Sequence, residues 1–415
     1  MALDMTSFDA ALKEHYSDQR VKNMVYKDNP LFALLPKKED FGGRNYPIPL
    51  IYGNPQGRSA TFANAQTRGA VTNSLITQFT LLRSKNYSIA TIDGETLEAS
   101  KGNANAFMEA ATTEIDGAIN ALARDISIDL YGTGFGGIGV LDATTNLATP
   151  VALLDDISKI TNFEVGMVCV FAEFENTGVL RNAGGTLTVV AVDRSNGTVT
   201  FNANLNTVTG IAVGDTIFVE GDRQNVATPT AIKTSGLEAW LPATAPTSTL
   251  FFGVDRSIDV TRLGGVRYDG TAVPIEEALI EGASKAAREG GKIDHCFLAY
   301  EQYANLEKSL GSKVQYVDKM VSAEIGFRGV LINGPRGPIN VIPDQNCPSN
   351  RAYMLQLDTW KLCSLGKATR VLNADGLQML RQASADGVEV RYGYYGNLGC
   401  KGPGFNANVQ LTPIS

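Results

Sequence analysis

The chain has 415 residues, of which 44% are hydrophobic and 19% are charged, and its formal net charge is −7 at pH 7. This composition is that of a folded protein with enough core for two or three domains, and it excludes disorder along the whole chain. The acidic balance and the lack of a Lys/Arg-rich run argue against a dedicated binder of nucleic acid or anionic membranes, because such binders need a positive surface.

The five cysteines are scattered and none forms a Cys-x-x-Cys pair, so neither a disulfide framework nor a zinc site is indicated. They are Cys169, Cys296, Cys347, Cys363 and Cys400. The polar N-terminus lacks the apolar core of a signal peptide, and no stretch approaches the roughly 18 apolar residues of a membrane span. We therefore expect a soluble chain made in a reducing cytoplasm.

Apolar side chains at Phe8, Leu12 and Tyr16 predict a short amphipathic helix at the N-terminus, and Pro30 interrupts the pattern. We predict an extended, partly helical arm over residues 1–43.

The next segment, residues 44–94, has β character at both ends, in NYPIPLIYG and SLITQFTLLRSKNYSIATID, and a polar middle. It predicts a long two-stranded β loop with little core of its own. Because an isolated hairpin is marginal in water, such a loop requires packing partners outside the monomer.

A helical pattern runs from Thr96 to Leu130 and ends at Gly132. Its apolar residues recur at i, i+3 and i+4 spacing. They are Phe107, Ala111, Ile115, Ala118, Ile119, Leu122, Ile126 and Leu130. A helix of this span would be about 50 Å long, which predicts a stiff spine for the domain over residues 95–149.

Residues 150–228 have a different character, with Val- and Thr-rich runs separated by turn signals such as Asn196-Gly197. The runs are MVCVFAE, TLTVVAVD, GTVTFNA and DTIFVEGD. They predict a small, barrel-like all-β module inserted at a surface loop of a host domain, where insertions are tolerated.

Mixed structure resumes after residue 228. Pro274 stands where a first helical turn favours proline, and Gly290-Gly291 closes that helix. A β-like HCFLAY, a short helix at EQYANLEKSLG and further strands follow. The last stretch, GVEVRYGYYGNLGCKGPGFNANVQL, predicts two strands with a Gly-rich bend between them.

Residues 132–139, GTGFGGIG, match the dinucleotide fingerprint Gly-x-Gly-x-x-Gly in two registers. These are Gly132, Gly134 and Gly137, or Gly134, Gly136 and Gly139. The fingerprint needs a strand before it and a helix after it, whereas here a helix precedes. A flexible bend is therefore the better interpretation.

Residues able to carry other chemistry do not converge into a site. His15 lies in the arm, and the neighbours His295 and Cys296 should point to opposite faces of a strand. The carboxylate pairs are Glu276-Glu277, Asp155-Asp156 and Asp125/Asp129, which we interpret as helix-start charges or solvated faces. We predict no catalytic, cofactor-binding or metal-binding residue, and so no enzyme.

Basic and aromatic residues cluster in VDRSIDVTRLGGVRYDG, at Arg256, Arg262, Arg267 and Tyr268. Because aspartates interleave with them, we interpret the cluster as pairing with a complementary subunit edge rather than with nucleic acid.

Taken in order, these elements resemble the major capsid proteins of tailed bacteriophages, the family with the HK97-like fold. The segments that carry the resemblance are DNPLFALLPK, RNYPIPLIYG, LLRSKNYSIATIDG, EIDGAINALARDISIDLYGTG, GLEAWLPA, DVTRLGG and GVEVRYGYYGNLGCKGP. The resemblance implies an α+β fold with an added all-β domain. Its parts are an N-terminal arm over 1–43, an extended β loop over 44–94, a peripheral domain with the spine helix over 95–149, the β insertion over 150–228, an axial domain over 229–378 and a return to the peripheral domain over 379–415.

The same resemblance implies the function: self-assembly, through hexamers and pentamers, into an icosahedral head shell that encloses double-stranded DNA without sequence preference. Its implied partners are a separate scaffolding protein, a portal and a cement or decoration protein, with no membrane. Assembly would occur in the bacterial cytoplasm and the product would be the virion. As a hypothesis, the bend at 132–139 and the loop base near Asp93-Gly94 act as hinges during shell expansion.

Three other classes stay open from the sequence. An encapsulin-type nanocompartment has the same fold, and a tail-tube protein is a different phage structural part. The third is an enzyme that uses the Gly-rich loop or Cys296.

Overall fold

A computed structural model describes residues 29–93, 104–310, 316–317, 329–373, 376, 379–382 and 386–413. The predicted N-terminal amphipathic helix, His15 and the proposed hinge residue Gly94 lie outside these ranges. Within them, no helix combines the length and apolarity that crossing a bilayer requires.

The N-terminal part of the described chain contains a short helix, an antiparallel strand pair with a helix at its tip, and the long helix. Its elements are α1 (Pro30–Leu34), β1 (Lys37–Lys38), β2 (Asn45–Gly53), α2 (Phe62–Val71), β3 (Leu75–Leu82), β4 (Ser84–Asp93) and α3 (Ala104–Tyr131). Helix α3 has 28 residues and is therefore about 42 Å long. From Ile115 onward its predicted apolar positions are buried in the main core.

The middle of the chain forms a small β barrel. Its strands are β5 (Gly137–Val140), β6 (Val151–Leu153), β7 (Val168–Ala172), β8 (Leu187–Asp193), β9 (Thr198–Phe201) and β10 (Thr216–Val219). They pair in the order β5-β10-β7-β8-β9-β6, and an isolated bridge between Leu141 and Leu154 closes the ring. Phe163, Phe171 and Phe201 fill the interior.

The four strands predicted within residues 150–228 are present as β7 to β10. The module nevertheless begins earlier than predicted, at Gly137, because β5 pairs with β10 and completes the ring. The predicted bend at 132–139 includes this strand, because GIGV is short and glycine-rich.

The rest of the chain contributes the remaining helices and strands. They are α4 (Leu237–Trp240), β11 (Leu250–Phe251), β12 (Val254–Asp255), β13 (Val266–Asp269), α5 (Ile275–Arg288), β14 (His295–Leu298), α6 (Tyr300–Leu310), β15 (Tyr316–Val317), β16 (Gly329–Gly334), β17 (Gly337–Pro343), β18 (Arg351–Leu355), β19 (Trp360–Ser364), β20 (Arg370–Val371), β21 (Leu380–Arg381), β22 (Gly387–Cys400) and β23 (Ala407–Gln410). The final stretch thus forms two strands separated by a Gly-rich bend, as predicted.

A seven-stranded sheet in the order β13-β23-β18-β14-β17-β16-β15 organises one core. Helix α5 packs on it with the face that carries Leu279 and Ala283. Gly282 permits this close approach, because a Cβ there would lie 2.5 Å from Val409 Cγ2.

A six-stranded sheet around β22 forms the second core, with β1, β19, β20, β21 and β4. Strand β4 pairs with β22 along its whole length, from Ser84 with Gly396 to Asp93 with Gly387. The two-stranded loop predicted over 44–94 therefore ends at Leu82. Alternating apolar residues support either pairing, and the burial of Ala90 and Ile92 against α3 favours this sheet.

The chain also crosses between the two sheets more often than predicted. Strands β19 and β20, within the segment assigned to an axial domain, belong to the sheet of β22, whereas the C-terminal β23 joins the seven-stranded sheet. Pairing partners this remote in sequence leave no local signal.

Candidate assembly surface and its anchors

Strands β2 and β3, with α2 between them, form an extended hairpin over residues 45–82. Its base is buried in the main core through Ile48, Phe79 and Leu81. Phe79 makes an edge contact with Trp240, with ring centroids 4.9 Å apart. The hairpin is thus held firmly at one end.

The distal half of the hairpin presents apolar side chains to solvent. Ile51 and Ile76 face each other across the strand pair, and each is 64% exposed. Phe62 and Val71, at the two ends of α2, are also exposed, and no residue of α2 is buried. Exposed apolar side chains grouped on one hairpin make this segment the candidate assembly surface.

Helix α2 itself was not predicted. Its sequence, FANAQTRGAV, has few large apolar residues and includes a glycine, a composition that is more typical of a polar loop. The exposed isoleucines were detectable, because NYPIPLIYG is more apolar than a strand with one buried face requires.

The carboxylates of Asp125 and Asp129 on α3 do not form the predicted solvated face. Together with Asp222 they surround the ammonium of Lys233, and we call these four residues the Lys233 cluster. Lys233 Nζ lies 2.6 Å from Asp125 Oδ1, 3.1 Å from Asp222 Oδ2 and 3.6 Å from Asp129 Oδ2.

The cluster is substantially shielded from solvent, with the Lys233 side chain 6% exposed and that of Asp129 5% exposed. Burial alone would lower the pKa of Lys233, but the charges of Asp129, Asp125 and Asp222 raise it above its usual value. Burial raises the pKa of Asp129 well above its ordinary value, although Lys233 opposes the shift. Lys233 is therefore held as a cation that compensates buried carboxylates.

Asn86 of β4 extends the cluster, because its Nδ2 donates to Asp125 and Asp129, both at 2.8 Å. The cluster thus joins β4, the long helix and the chain leaving the barrel. The role of Lys233, a single lysine in TPTAIKTSG, is not predictable from the sequence, because nothing near it in sequence indicates its partners.

The Gly-rich bend lies where the chain enters the barrel. Gly134 and Gly136 have φ of 89° and 84°, a region that favours glycine. The exit segment runs alongside, with Gly236 N donating to Gly132 O and Lys233 N to Gly134 O. A helix precedes the bend and a strand follows, the reverse of the order that a dinucleotide site needs.

The other residues considered for chemistry in the sequence have local structural roles. Burial raises the pKa of the Cys296 thiol above its usual value, while His295 on the neighbouring position stacks on Phe297. Asp156 caps a 3₁₀ helix by accepting from Ser158 N, and Glu276 and Glu277 occupy the first turn of α5, as predicted.

All five cysteines are buried free thiols. In the part of the chain that the structure describes, no three His, Cys, Asp or Glu residues are arranged to hold a metal.

The basic residues at 256–268 make contacts within the subunit. Arg256 is turned inward, donates to Ala239 O at 2.8 Å and lies 4.0 Å from the ring centroid of Phe251. Arg267 donates to Val260 O, and Arg262 donates to Tyr52 O of the hairpin at 2.7 Å. Backbone carbonyls of the same subunit thus accept from all three arginines, and the pairing with a neighbouring subunit's edge stays a prediction.

A second buried anchor lies at Asp344, immediately after β17. Its Oδ2 accepts from Tyr131 Oη at 2.9 Å and from Leu31 N at 3.4 Å, and its Oδ1 accepts from Asn346 N. Asp344 is 1% exposed, and burial raises the pKa of its carboxyl. It ties α1 and the end of α3 to the seven-stranded sheet.

We expect Asp344→Ala to lower the free energy of unfolding by about 2 kcal/mol or more, because it leaves the buried Tyr131 hydroxyl and Leu31 N–H without their acceptor. Urea unfolding followed by tryptophan fluorescence measures the loss. Asp358→Ala, at an exposed aspartate, is the matched control and should change stability by less than about 0.5 kcal/mol. Equal effects of the two substitutions would contradict the anchoring role.

Comparison with known proteins adds three findings. Residues 215–396, from the barrel's last strand through β22, match the model of the SU10 major capsid protein family. No curated protein matches the sequence. Several solved structures are similar over most of the chain.

Among these structures, the capsid asymmetric unit of cyanophage A-1(L) has a TM-score of 0.52 and 12% identity, covering 93% of both chains. A structure from Mycobacterium phage Ogopogo has a TM-score of 0.40 and 10% identity, covering 93% of this chain and 92% of that one. The capsid of a native GTA particle has a TM-score of 0.42 and 7% identity, covering 92% and 89%. The likeness to the cyanophage chain shows a shared fold.

Proposed function

We propose, from the premise that this chain is a phage major capsid protein with the HK97-like fold, that it assembles through hexamers and pentamers into an icosahedral head shell around double-stranded DNA. The role is structural, without catalysis. The observation that carries the assembly role is the extended hairpin, which is anchored at its base and apolar where it leaves the monomer.

The energetics of the hairpin support assembly. Full burial of an isoleucine side chain contributes about 1.5–3 kcal/mol, so covering Ile51 and Ile76 on a neighbouring subunit contributes several kcal/mol per contact. In a closed shell, the hairpin of each subunit packs on one neighbour, and the same subunit is covered by the hairpin of another. The stability of each subunit then depends on its neighbours.

Under this proposal the sheet around β22, with α3 across it, is the peripheral domain and the seven-stranded sheet is the axial domain. The barrel is an insertion at a surface loop of this host fold. Its entry and exit at Gly132 and Gly236 lie side by side, as expected where a domain interrupts a loop. An intersubunit brace, a folding aid and an outer-surface decoration are its candidate roles.

The remaining partners follow from the family resemblance. We propose a separate scaffolding protein, a portal and a cement or decoration protein, assembly in the bacterial cytoplasm, and the virion as the final location. A net charge of −7 suits a shell into which DNA is driven, because a strongly basic lumen would bind the DNA and hinder its movement.

Negative-stain electron microscopy and size-exclusion chromatography test the proposal, with the chain expressed alone and together with the products of its neighbouring genes. We expect closed icosahedral shells, or capsid-like hexamers and pentamers. The diameter separates a phage head from a nanocompartment, and tubes would indicate a tail protein. A compact monomer or small oligomer under every condition would overturn the proposal.

A further inference from the structure

A polar cleft of about 440 Å³ lies where the barrel meets the long helix and the loop after β17. It is separate from the hairpin and from the Lys233 cluster. Its lining includes Arg124 of α3 and Arg194 of the β8–β9 turn, with further polar side chains around them. These are Asn120, Thr161, Gln345 and Asn346. The volume is within the range of small-molecule sites.

The charge of this cleft is opposite to that of the whole chain. Its lining contains two guanidinium groups and no carboxylate. Glu164, beside the cleft, pairs with both Arg124 and Arg194, the latter through Nη2 and Oε1 at 3.4 Å. One carboxylate shared by two guanidiniums leaves a positive site on a protein of net charge −7.

The cleft also contains the kinds of hydrogen-bond donor that phosphate oxygens accept from. Guanidinium groups present several N–H donors in a planar fork, and the amides of Asn120 and Gln345 add neutral donors. The two arginines come from different elements, so an anion held by both would connect the barrel to α3. The Glu164 carboxylate is the competitor that such an anion must displace.

We propose that this cleft binds a phosphate-bearing anion, held by Arg124 and Arg194, that bridges the barrel and the long helix. The chemistry is shared by a free polyphosphate and by the backbone of a nucleic acid. The concave shape between two elements favours a free polyphosphate, since the convex surface of a stiff duplex follows a concave cleft poorly. Shell assembly is not required for this site, because one subunit supplies all the lining residues.

Isothermal titration of the full-length protein with sodium tripolyphosphate tests the inference. We expect saturable binding that Arg194→Gln weakens by about tenfold or more, the effect of losing one charged hydrogen-bonding partner. Glu164→Gln should instead strengthen binding, because it removes the competing carboxylate. A merely structural role for Glu164 would not increase affinity. Arg288→Gln, at an arginine whose side chain is 78% exposed, is the matched control and should leave binding unchanged.

A short DNA duplex is titrated in parallel. Binding of tripolyphosphate alone identifies a free polyphosphate as the ligand class, whereas Arg194-dependent binding of both identifies backbone phosphate. No binding of either at millimolar concentration overturns the inference, as does tripolyphosphate binding that Arg194→Gln and Glu164→Gln leave unchanged.

Discussion

Replacing Lys233 by methionine should lower the free energy of unfolding at pH 7 by about 3–5 kcal/mol, because it leaves the carboxylates of Asp125, Asp129 and Asp222 without their buried cation. The measurement is urea unfolding followed by the fluorescence of Trp240 and Trp360, the chain's two tryptophans, both of which are fully buried. Lys85→Met, at an exposed lysine of β4, is the matched control.

The pH dependence of this variant has a defined sign. Burial raises the pKa of Asp129 in the folded state, and removal of Lys233 raises it further. A carboxyl whose pKa is raised by folding stabilises the folded state at low pH, and this contribution is lost as the pH rises through the folded-state pKa. The deficit of Lys233→Met should therefore shrink as the pH falls from 7 toward 5.

A second substitution separates charge from packing. Adding Asp129→Asn to Lys233→Met removes one uncompensated charge while preserving the side-chain shape, so part of the lost stability should return. If Lys233→Met unfolds at the same urea concentration as the unsubstituted protein at pH 7, the Lys233 cluster does not hold the barrel's exit to the long helix.

The double substitution Ile51→Thr/Ile76→Thr should prevent or severely weaken shell assembly while leaving the subunit folded. Threonine keeps the β-branched shape that suits a strand but presents a hydroxyl to the partner surface. Both isoleucines are 64% exposed in the subunit, so their replacement removes little of its core. Loss of about 2–4 kcal/mol per contact would raise the protein concentration needed for assembly more than tenfold.

Light scattering and electron microscopy over a concentration series measure this effect, and circular dichroism checks that the subunit remains folded. Val190→Thr, at a half-exposed strand position of the barrel, is the matched control and should assemble normally. Normal assembly of the double variant would show that the distal hairpin is not the subunit contact.

The predicted α+β HK97-like fold is confirmed by the likeness to the cyanophage capsid chain, and residues 215–396 match the model of a major capsid protein family. The long helix and the strands of the β-rich module show why the fold could be predicted from the sequence. In the long helix, apolar residues from Ile115 to Leu130 recur at the i, i+3 and i+4 spacing of a helical face. In β7 to β10, runs of β-branched residues lie between turn residues. Both signals are local, because backbone periodicity is a property of neighbouring residues.

The pairing of strands that are distant in sequence could not be predicted from such local signals. The sequence of strand β4 is compatible with the end of a hairpin and with pairing to β22, because its apolar and polar side chains alternate in the same way in both arrangements. Strand β5 is four residues long and half glycine, and only closure of the barrel makes it a strand.

By itself, the sequence determined that the chain has a long amphipathic helix, a β-rich module and a hairpin with exposed apolar residues, because these depend on local periodicity and on apolar residues in excess of what the segment can bury. Only the tertiary structure decided the roles of individual charges. Asp125 and Lys233 are 108 residues apart in sequence and 2.6 Å apart in space, and Arg256 is turned inward to backbone carbonyls. Whether a charge is solvated or paired depends on which remote segments fold against it, and no local pattern encodes that.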